Sequence, residues 1–345
     1  MTTFFFPTIA AYTEKHVAHE PVAVELPVDD RVAAAVRAGL SSLPKRLPAW
    51  LFYDSAGSRL FDEITERPEY YPTRTERGIL AQHAEQMIAD AAHGSRLRIA
   101  ELGAGSADKT RLLLKAAVAQ QGFVVYEPLD VSASALDAAR ERIEREIAGV
   151  VVAPRVMDYT HGNGRGLPLK STEAGERRLV LYIGSSIGNF NPPEAMRLLQ
   201  HVRAGLKPGD GLLLGVDLKK DVPTLLAAYD DVAGVTADFN LNLLARLNRE
   251  LGAEFYLESF EHRAVWNEEE SRIEMHLESR VAQKVWLEAL DLEIEFAEGE
   301  TIHTENSYKY RPGQAEAMLA EAGFAAAGSW TDERGWFEVC LGRAR

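Results

Sequence analysis

The sequence predicts an α/β protein, a doubly wound parallel sheet with helices on both faces, joined to a second α+β domain. Three observations carry this expectation. From about residue 75 to 218, short apolar runs alternate with helical runs, the pattern of strand–helix–strand crossovers. The first apolar run ends in a glycine turn, Gly103-Ala104-Gly105, that leads straight into a helical stretch. Beyond residue 218 the pattern changes to helices and then alternating strands, and a helix with two strands closes the chain.

Taken in order, residues 31–40 and 76–92 have helical periodicity. RLRIAELGAG (96–105) is the first strand and turn, followed by a helix through residue 120. FVVYEPLDVS (123–132) and ASALDAARERIEREI (133–147) form the second pair, and VVAPRVMDY (151–159) is a short third strand before a glycine-rich loop at 162–166. RRLVLYIGSS (177–186) is the fourth strand, with a helix at 193–205, and GDGLLLGVDL (209–218) is the fifth. Residues 220–250 read as one or two helices, and 270–298 alternate as antiparallel strands. A helix at 314–323 and a strand hairpin at 324–345 end the chain. The simplest division places 75–218 and 310–345 in one domain and 26–74 with 219–309 in another, leaving 1–25 as an extension without an evident role. A helix and hairpin returning to the sheet suit a methyltransferase better than a dehydrogenase.

Composition narrows the function. The chain has 345 residues and a formal charge of −14, long enough for two cores and too acidic to favour a phosphate backbone. One cysteine, Cys340, forbids an intrachain disulfide and the usual multi-cysteine zinc site. Nine histidines show no metal-binding spacing, so no metal is expected. No apolar run approaches a membrane span and no signal peptide is evident, so a cytoplasmic protein free of membrane and nucleic-acid partners is expected.

The glycine loop indicates the ligand. A dinucleotide fingerprint would continue to a third glycine, but Ala107 and Asp108 stand there and Glu101 precedes the loop. A carboxylate beside the loop repels pyrophosphate and suits the amino group or sulfonium of S-adenosylmethionine. Asp130, at the second strand end, can accept from both ribose hydroxyls, although a helix-capping role competes for it. Asp158 and Tyr159, at the third strand end, can take the adenine amino group and cover its ring, with a solvated loop acid as the alternative for Asp158.

Other segments carry polar groups suited to an acceptor. Gly184-Ser185-Ser186-Ile187-Gly188-Asn189 lies where the fourth strand opens onto the ligand face. Asn189 can hold both an amine and a carboxylate, or serve only as a turn residue. In Pro68-Glu69-Tyr70-Tyr71-Pro72, an extended backbone would point the two tyrosines apart, one into a cavity and one into packing. Glu305 and Ser307, two apart in a strand, share a face, and an acid with a hydroxyl suits the two nitrogens of an imidazole; a solvated strand edge is the alternative.

Together LFYDSAGSRLFDEITERPEYYPTRTE, ELGAGSADKTRLLL, YIGSSIGNFNP, AYDDVAGVTADFNLNLLARLNRELGAEF, RIEMHLESR and IHTENSYKYRP resemble the L-histidine Nα-methyltransferases of ergothioneine biosynthesis, from about residue 30 onward. The resemblance implies a class I, Rossmann-like methyltransferase sheet with a substrate-binding domain built from the N-terminus and an insertion. It implies S-adenosylmethionine as methyl donor, L-histidine as substrate and hercynine as the trimethylated product; a monomer is expected. By motif, the catalytic set falls on Tyr70, Asn189 and Gly184. Tyr53, Tyr70, Asn189, Tyr229, Thr236, Met275, Glu305 and Ser307 are the implied substrate residues. Gly103, Lys109, Asp130, Asp158 and Tyr159 are the implied cofactor positions, joined by Glu101 and Gly105 from the loop itself. An N-methyltransferase of another amino acid, such as a tryptophan-derived amine, is the rival reading; retention of both Glu305 and Ser307 favours an imidazole.

Overall fold

The computed structural model describes residues 29–105, 107–131, 133–160, 166–169 and 172–345. The N-terminal extension, most of the expected loop at 162–166, Ser106 and Ser132 lie outside the described residues.

The chain opens with α1 (Asp30–Leu40), whose N-cap Asp29 accepts from the backbone of Arg31 and Val32. A short strand β1 (Lys45–Arg46) and a helical turn at Ala49–Phe52 follow. Next come α2 (Ser55–Thr65), capped by Asp54, and the 22-residue α3 (Tyr71–Ala92). The last begins five residues earlier than periodicity suggests. Tyr71 is its first residue and Pro72 its second, where a missing N–H costs nothing. The adjacent tyrosines therefore stand at a helix start, not in the expected extended segment.

The large sheet is then laid down by β2 (Arg96–Leu102), α4 (Thr110–Gln121), β3 (Val124–Asp130), α5 (Ala133–Glu146), β4 (Val150–Val152), β5 (Arg155–Val156), β6 (Glu176–Tyr182), α6 (Pro192–Ala204) and β7 (Gly211–Asp217). The expected third strand is split, since β4 and β5 flank Ala153 and Pro154 and each pairs with a different part of β3; Pro154 has no N–H to continue a ladder. The chain continues through α7 (Val222–Ala227), α8 (Val235–Leu251), β8 (Phe260–Asn267), β9 (Arg272–Ser279), β10 (Gln283–Leu287), β11 (Leu292–Phe296) and β12 (Thr301–Tyr308). It ends with α9 (Gln314–Glu321), β13 (Phe324–Thr331) and β14 (Phe337–Ala344).

The large sheet runs β13-β14-β7-β6-β2-β3-β4, with β5 also on β3. Its centre is parallel, and β14 closes it antiparallel to β7. Alternate residues bury on opposite faces. Ile99, Leu181 and Leu213 pack with α3, α4 and α5, while Ala100, Leu212 and Leu214 pack with α6 and α9. A second core gathers α1, α7, α8 and the four-stranded sheet β1-β12-β9-β8. The strands expected at 270–298 thus divide: β9 joins that sheet, and β10 forms a separate two-stranded sheet with β11. Among the described residues no helix is long and apolar enough to cross a membrane.

One packing detail ties the layers together. Glu76 of α3 has no exposed side-chain surface, and a Cβ on Gly215 of β7 would lie 2.1 Å from its Oε1. Gly215→Ala must therefore displace a buried charge. It should destabilise the fold by about 1–3 kcal/mol in denaturant unfolding, in the range of an overpacked core; unaltered stability would show that Glu76 has room to move.

Candidate functional site

At the carboxyl ends of β2, β3 and β6 the chain opens into a cleft of about 2430 Å³, the usual ligand side of such a sheet. Glu101, Gly103, Gly105, Lys109, Asp130, Asp158 and Tyr159 all line it. Gly103 has φ +64, and a Cβ there would stand 2.6 Å from the Tyr159 hydroxyl, so only glycine lets the tyrosine come down on the loop. Asp130 Oδ2 accepts from the Gly105 N–H at 3.2 Å, holding the turn against the end of β3.

Two of these acids are engaged differently from expectation. Glu101 is 3% exposed, and its carboxylate accepts from the Thr110 hydroxyl at 2.7 and 2.8 Å and from the Tyr126 hydroxyl. Burial pushes it up to about 7, against those hydrogen bonds and Lys109. Its carboxylate therefore braces α4 and β3 beneath the loop. Asp158 is ion-paired with Arg31 of α1 at 2.5 Å, and that guanidinium lies 4.1 Å from the Trp50 ring centre. Asp158 also accepts from the Thr160 N–H at 2.9 Å, so it joins the N-terminal helix to the cleft.

A small chamber of about 50 Å³ adjoins the cleft. Tyr53, Phe61, Tyr70, Gly184, Ser186, Asn189 and Glu305 line both spaces, so they mark the opening between them. Tyr229, Thr236, Met275 and Ser307 line the chamber alone. All eight implied substrate residues are thereby brought together from α2–α3, the β6 turn, α7–α8, β9 and β12. Tyr70 stands at the N-cap of α3 and its ring is edge-on to Tyr229 at 6.2 Å. Tyr71 instead is buried, its hydroxyl donating to Asp217 Oδ2 at 2.6 Å. Tyr53 packs edge-on to Phe61 and Phe239. Burial pushes the hydroxyls of Tyr53, Tyr70 and Tyr229 well above their ordinary range, with Glu305 adding to it, so these phenols stay protonated.

The way Glu305 and Ser307 reach the chamber depends on a bulge. Their partners on β9 are Met275 and Ile273, but the register shifts between His303 and Glu305. The inserted Thr304 donates to Asn240 Oδ1 at 2.9 Å and to the Met275 carbonyl at 3.0 Å. One extra residue changes the parity of the strand, so positions 305 and 307 turn to the same inner face as Ile302. Glu305 is pushed up to about 7 by burial, opposed by the charge of Lys309 and a hydrogen bond from Asn189.

Glu76, Asp217 and Lys309, which sequence reasoning did not single out, complete the site. Glu76 accepts from the Gly184 N–H at 2.8 and 3.0 Å and pairs with Lys109. Asp217 at the end of β7 accepts from Tyr71, Lys220 at 2.5 Å and Lys309 at 2.8 Å. Glu76 and Lys309 sit inside the quoted motif blocks, but neither letter reveals its burial. A grouping of Glu274, His276 and His303 also forms across β9 and β12. Its carboxylate is already bonded to Arg272 at 2.6 Å, Asn267 at 2.9 Å and His276 at 3.1 Å; despite burial these hold it down at about 2. That makes it a salt-bridged patch on the face of the sheet.

With this geometry in view, the chain was compared with known proteins. The family described as "Histidine-specific methyltransferase, SAM-dependent" matches residues 32–344. The histidine N-alpha-methyltransferase of Mycolicibacterium smegmatis is 47% identical over 306 residues, 89% of this chain and 92% of that protein. The Mycobacterium tuberculosis protein of the same name is 44% identical with the same coverage. Ergothioneine biosynthesis protein 1 of Neurospora crassa is 31% identical over 90% of this chain and 34% of its own length. The chain belongs to the histidine-specific, S-adenosylmethionine-dependent methyltransferase family.

The raised Glu305 gives a signed prediction. Its folded value of about 7 lies above the ordinary 4.5, so the folded state holds the proton more tightly. Its cost to stability is absent below the unfolded value, grows as pH rises between the two, and is complete above about 7. Glu305→Gln should therefore be more stable than the parent at alkaline pH, by up to about 3 kcal/mol, and equal to it in acid. Parallel stability–pH curves for the two proteins would contradict this.

Proposed function

We propose that this chain, as a member of that family, transfers three methyl groups from S-adenosylmethionine to the α-amino nitrogen of L-histidine, giving hercynine, the first step towards ergothioneine. The observation that carries the proposal is the chamber itself. Glu305 and Ser307 present an acid and a hydroxyl on a common face, Glu305 at the mouth beside Tyr70, Asn189 and Gly184 and Ser307 farther inside.

The cleft residues fit the methyl donor. Gly103 with Tyr159 forms a close-approach turn, Asp130 stands at a strand end where ribose hydroxyls are bound in such sheets, and Lys109 offers a part-exposed ammonium for a carboxylate. When bound, S-adenosylmethionine supplies a methyl carbon open to in-line attack by an amine. The chain supplies position, which is worth on the order of 7–11 kcal/mol when reacting atoms are held in near-attack geometry.

The amine must arrive neutral, since an ammonium has no lone pair. The Tyr70 hydroxyl, kept protonated by burial, orients that nitrogen by hydrogen bonding and does not take its proton, which leaves to water in the cleft. Asn189 offers a carbonyl to the amine and an amide to the carboxylate, and Tyr229 lines the chamber beside Ser307, its hydroxyl bonded to that serine. Gly184, with φ +83, has no side chain to crowd a nitrogen that grows bulkier with each methyl. Glu305 accepts the ring N–H and Ser307 donates to the other ring nitrogen, with Thr236 and Met275 as walls.

In this reading residues 75–218 with 310–345 bind the methyl donor and lend Gly184 and Asn189 to the chamber, and 26–74 with 219–309 supply the other amino-acid contacts. The reading includes a working monomer in a cytoplasmic setting.

Incubating the purified protein with S-adenosylmethionine and an equimolar mixture of amino acids should give, by mass spectrometry, histidine alone carrying up to three methyl groups. Methylation of a different amino acid would overturn the reading of Glu305 and Ser307. Glu305→Ala should lower histidine kcat/KM by about 100-fold or more, because a buried donor is left unpaired, while S-adenosylhomocysteine still binds. Equal loss of both would make the segment structural. Tyr70→Phe should slow turnover about tenfold; an unchanged rate and methylation pattern would remove Tyr70 from the site.

A further inference from the structure

Lys309 lies immediately behind Ser307 and Tyr229, and its side chain has no exposed surface. Its Nζ donates to Asp217 Oδ2 at 2.8 Å, to the Tyr229 hydroxyl at 2.9 Å and to Ser307 Oγ at 2.8 Å. An ammonium has three hydrogens and no lone pair, so this set is complete. The Tyr229 and Ser307 hydroxyls also bond each other at 2.6 Å.

Counting hydrogens fixes the polarity of the pair. Both oxygens accept from Lys309, and neither can donate back to it. Two hydroxyl hydrogens remain, and the bond between Tyr229 and Ser307 uses one. The phenol is the stronger acid, so that hydrogen runs from Tyr229 to Ser307. Ser307 Oγ then accepts twice, from Lys309 and Tyr229, and has no lone pair left. Its own hydrogen must point away from both, into the chamber that Ser307 lines.

We infer that Lys309 is a positioning residue that makes Ser307 an obligate donor, so that the site selects the neutral imidazole of histidine over the imidazolium. The inference rests on Glu305 and Ser307 facing the ring, as proposed above. A neutral imidazole has one N–H, for Glu305, and one lone pair, for Ser307. An imidazolium has two N–H groups, and the second would meet a serine oxygen that has nothing to accept with, a buried mismatch that is costly. The charged and titratable groups around Lys309 are Asp217 at the end of β7, Lys220 just beyond it, Tyr71 from α3, Tyr229 after α7, and Glu305 on β12; Asp332 faces Lys220 in turn. Lys220 keeps Asp217 paired when Lys309 is removed.

The test is a double-mutant cycle on the full chain: parent, Lys309→Met, Ser307→Ala and the double variant. Each is measured for histidine kcat/KM across pH and for binding of S-adenosylhomocysteine. Lys309→Met should lower kcat/KM at neutral pH about 10- to 100-fold and leave S-adenosylhomocysteine binding unchanged. In a Glu305→Gln background, where no carboxyl titrates beside residue 309, it should also move the acid limb of the profile down by about one pH unit, because a freed serine lone pair tolerates the imidazolium. The double variant should be no worse than Ser307→Ala, since without the hydroxyl there is nothing left to polarise. Losses that multiply in the double variant, or an acid limb that stays in place, would overturn the inference. If Lys309→Met does not fold, Lys309→Gln carries the same cycle. A parent that binds S-adenosylhomocysteine but methylates no histidine would overturn the histidine reading as well. Normal histidine turnover by Lys309→Met would overturn this inference alone.

Discussion

A carboxylate with no access to water must find every hydrogen bond inside the protein or be destabilised by several kcal/mol. Glu76 is such a group. It satisfies itself with the Gly184 N–H and the Lys109 ammonium, and the absence of a side chain at Gly215 gives it space. Through this one side chain, α3 fixes the turn after β6, the entry to α4 and the underside of β7. Since Gly184 and Lys109 border the chamber mouth and the cleft, the relative position of the two ligand spaces follows from where Glu76 is neutralised.

A second buried centre lies on the other side of the chamber. Asp217 ends β7 and gathers Tyr71, Lys220 and Lys309. Burial lowers Lys220 to about 8, although Asp217 holds it up. The two centres stand at the ends of adjacent strands of the large sheet, where a doubly wound fold leaves strand ends open to ligands. Each anchors part of the chamber, the Gly184 backbone that leads to the Asn189 turn on one side and the Ser307 and Tyr229 hydroxyls on the other. Rigid support of this kind is what a reaction governed by positioning needs.

Between the centres the second sheet contributes the specificity face. β12 is pinned to β9 by regular pairing at both ends and by Thr304 in the middle. The bulge there is a small feature with a large effect, because a parity change in a strand moves every following side chain to the other face. Met275 opposite Glu305 then closes the chamber with an apolar wall, which strengthens the hydrogen bonds offered to a ring within it.

The alternation of apolar and helical runs, the glycine turn at Gly103–Gly105 and the acids at successive strand ends were enough to determine an α/β methyltransferase sheet, because period and turn chemistry are local properties. The motif blocks added the family and a set of candidate residues that the fold gathers into one cleft and chamber. The sequence could not show that Tyr71 begins a helix, that Glu101 braces α4, or that Asp158 meets Arg31, since each depends on partners far along the chain. Nor could it distinguish Glu76 and Lys309 from solvated surface charges. Burial is decided by packing from several elements at once, and a buried charge acquires its role only from the neighbours that neutralise it. That is why the fold, the family and the candidate residues were written in the sequence, while the polarity of the chamber and the face presented by Glu305 and Ser307 were decided by tertiary structure.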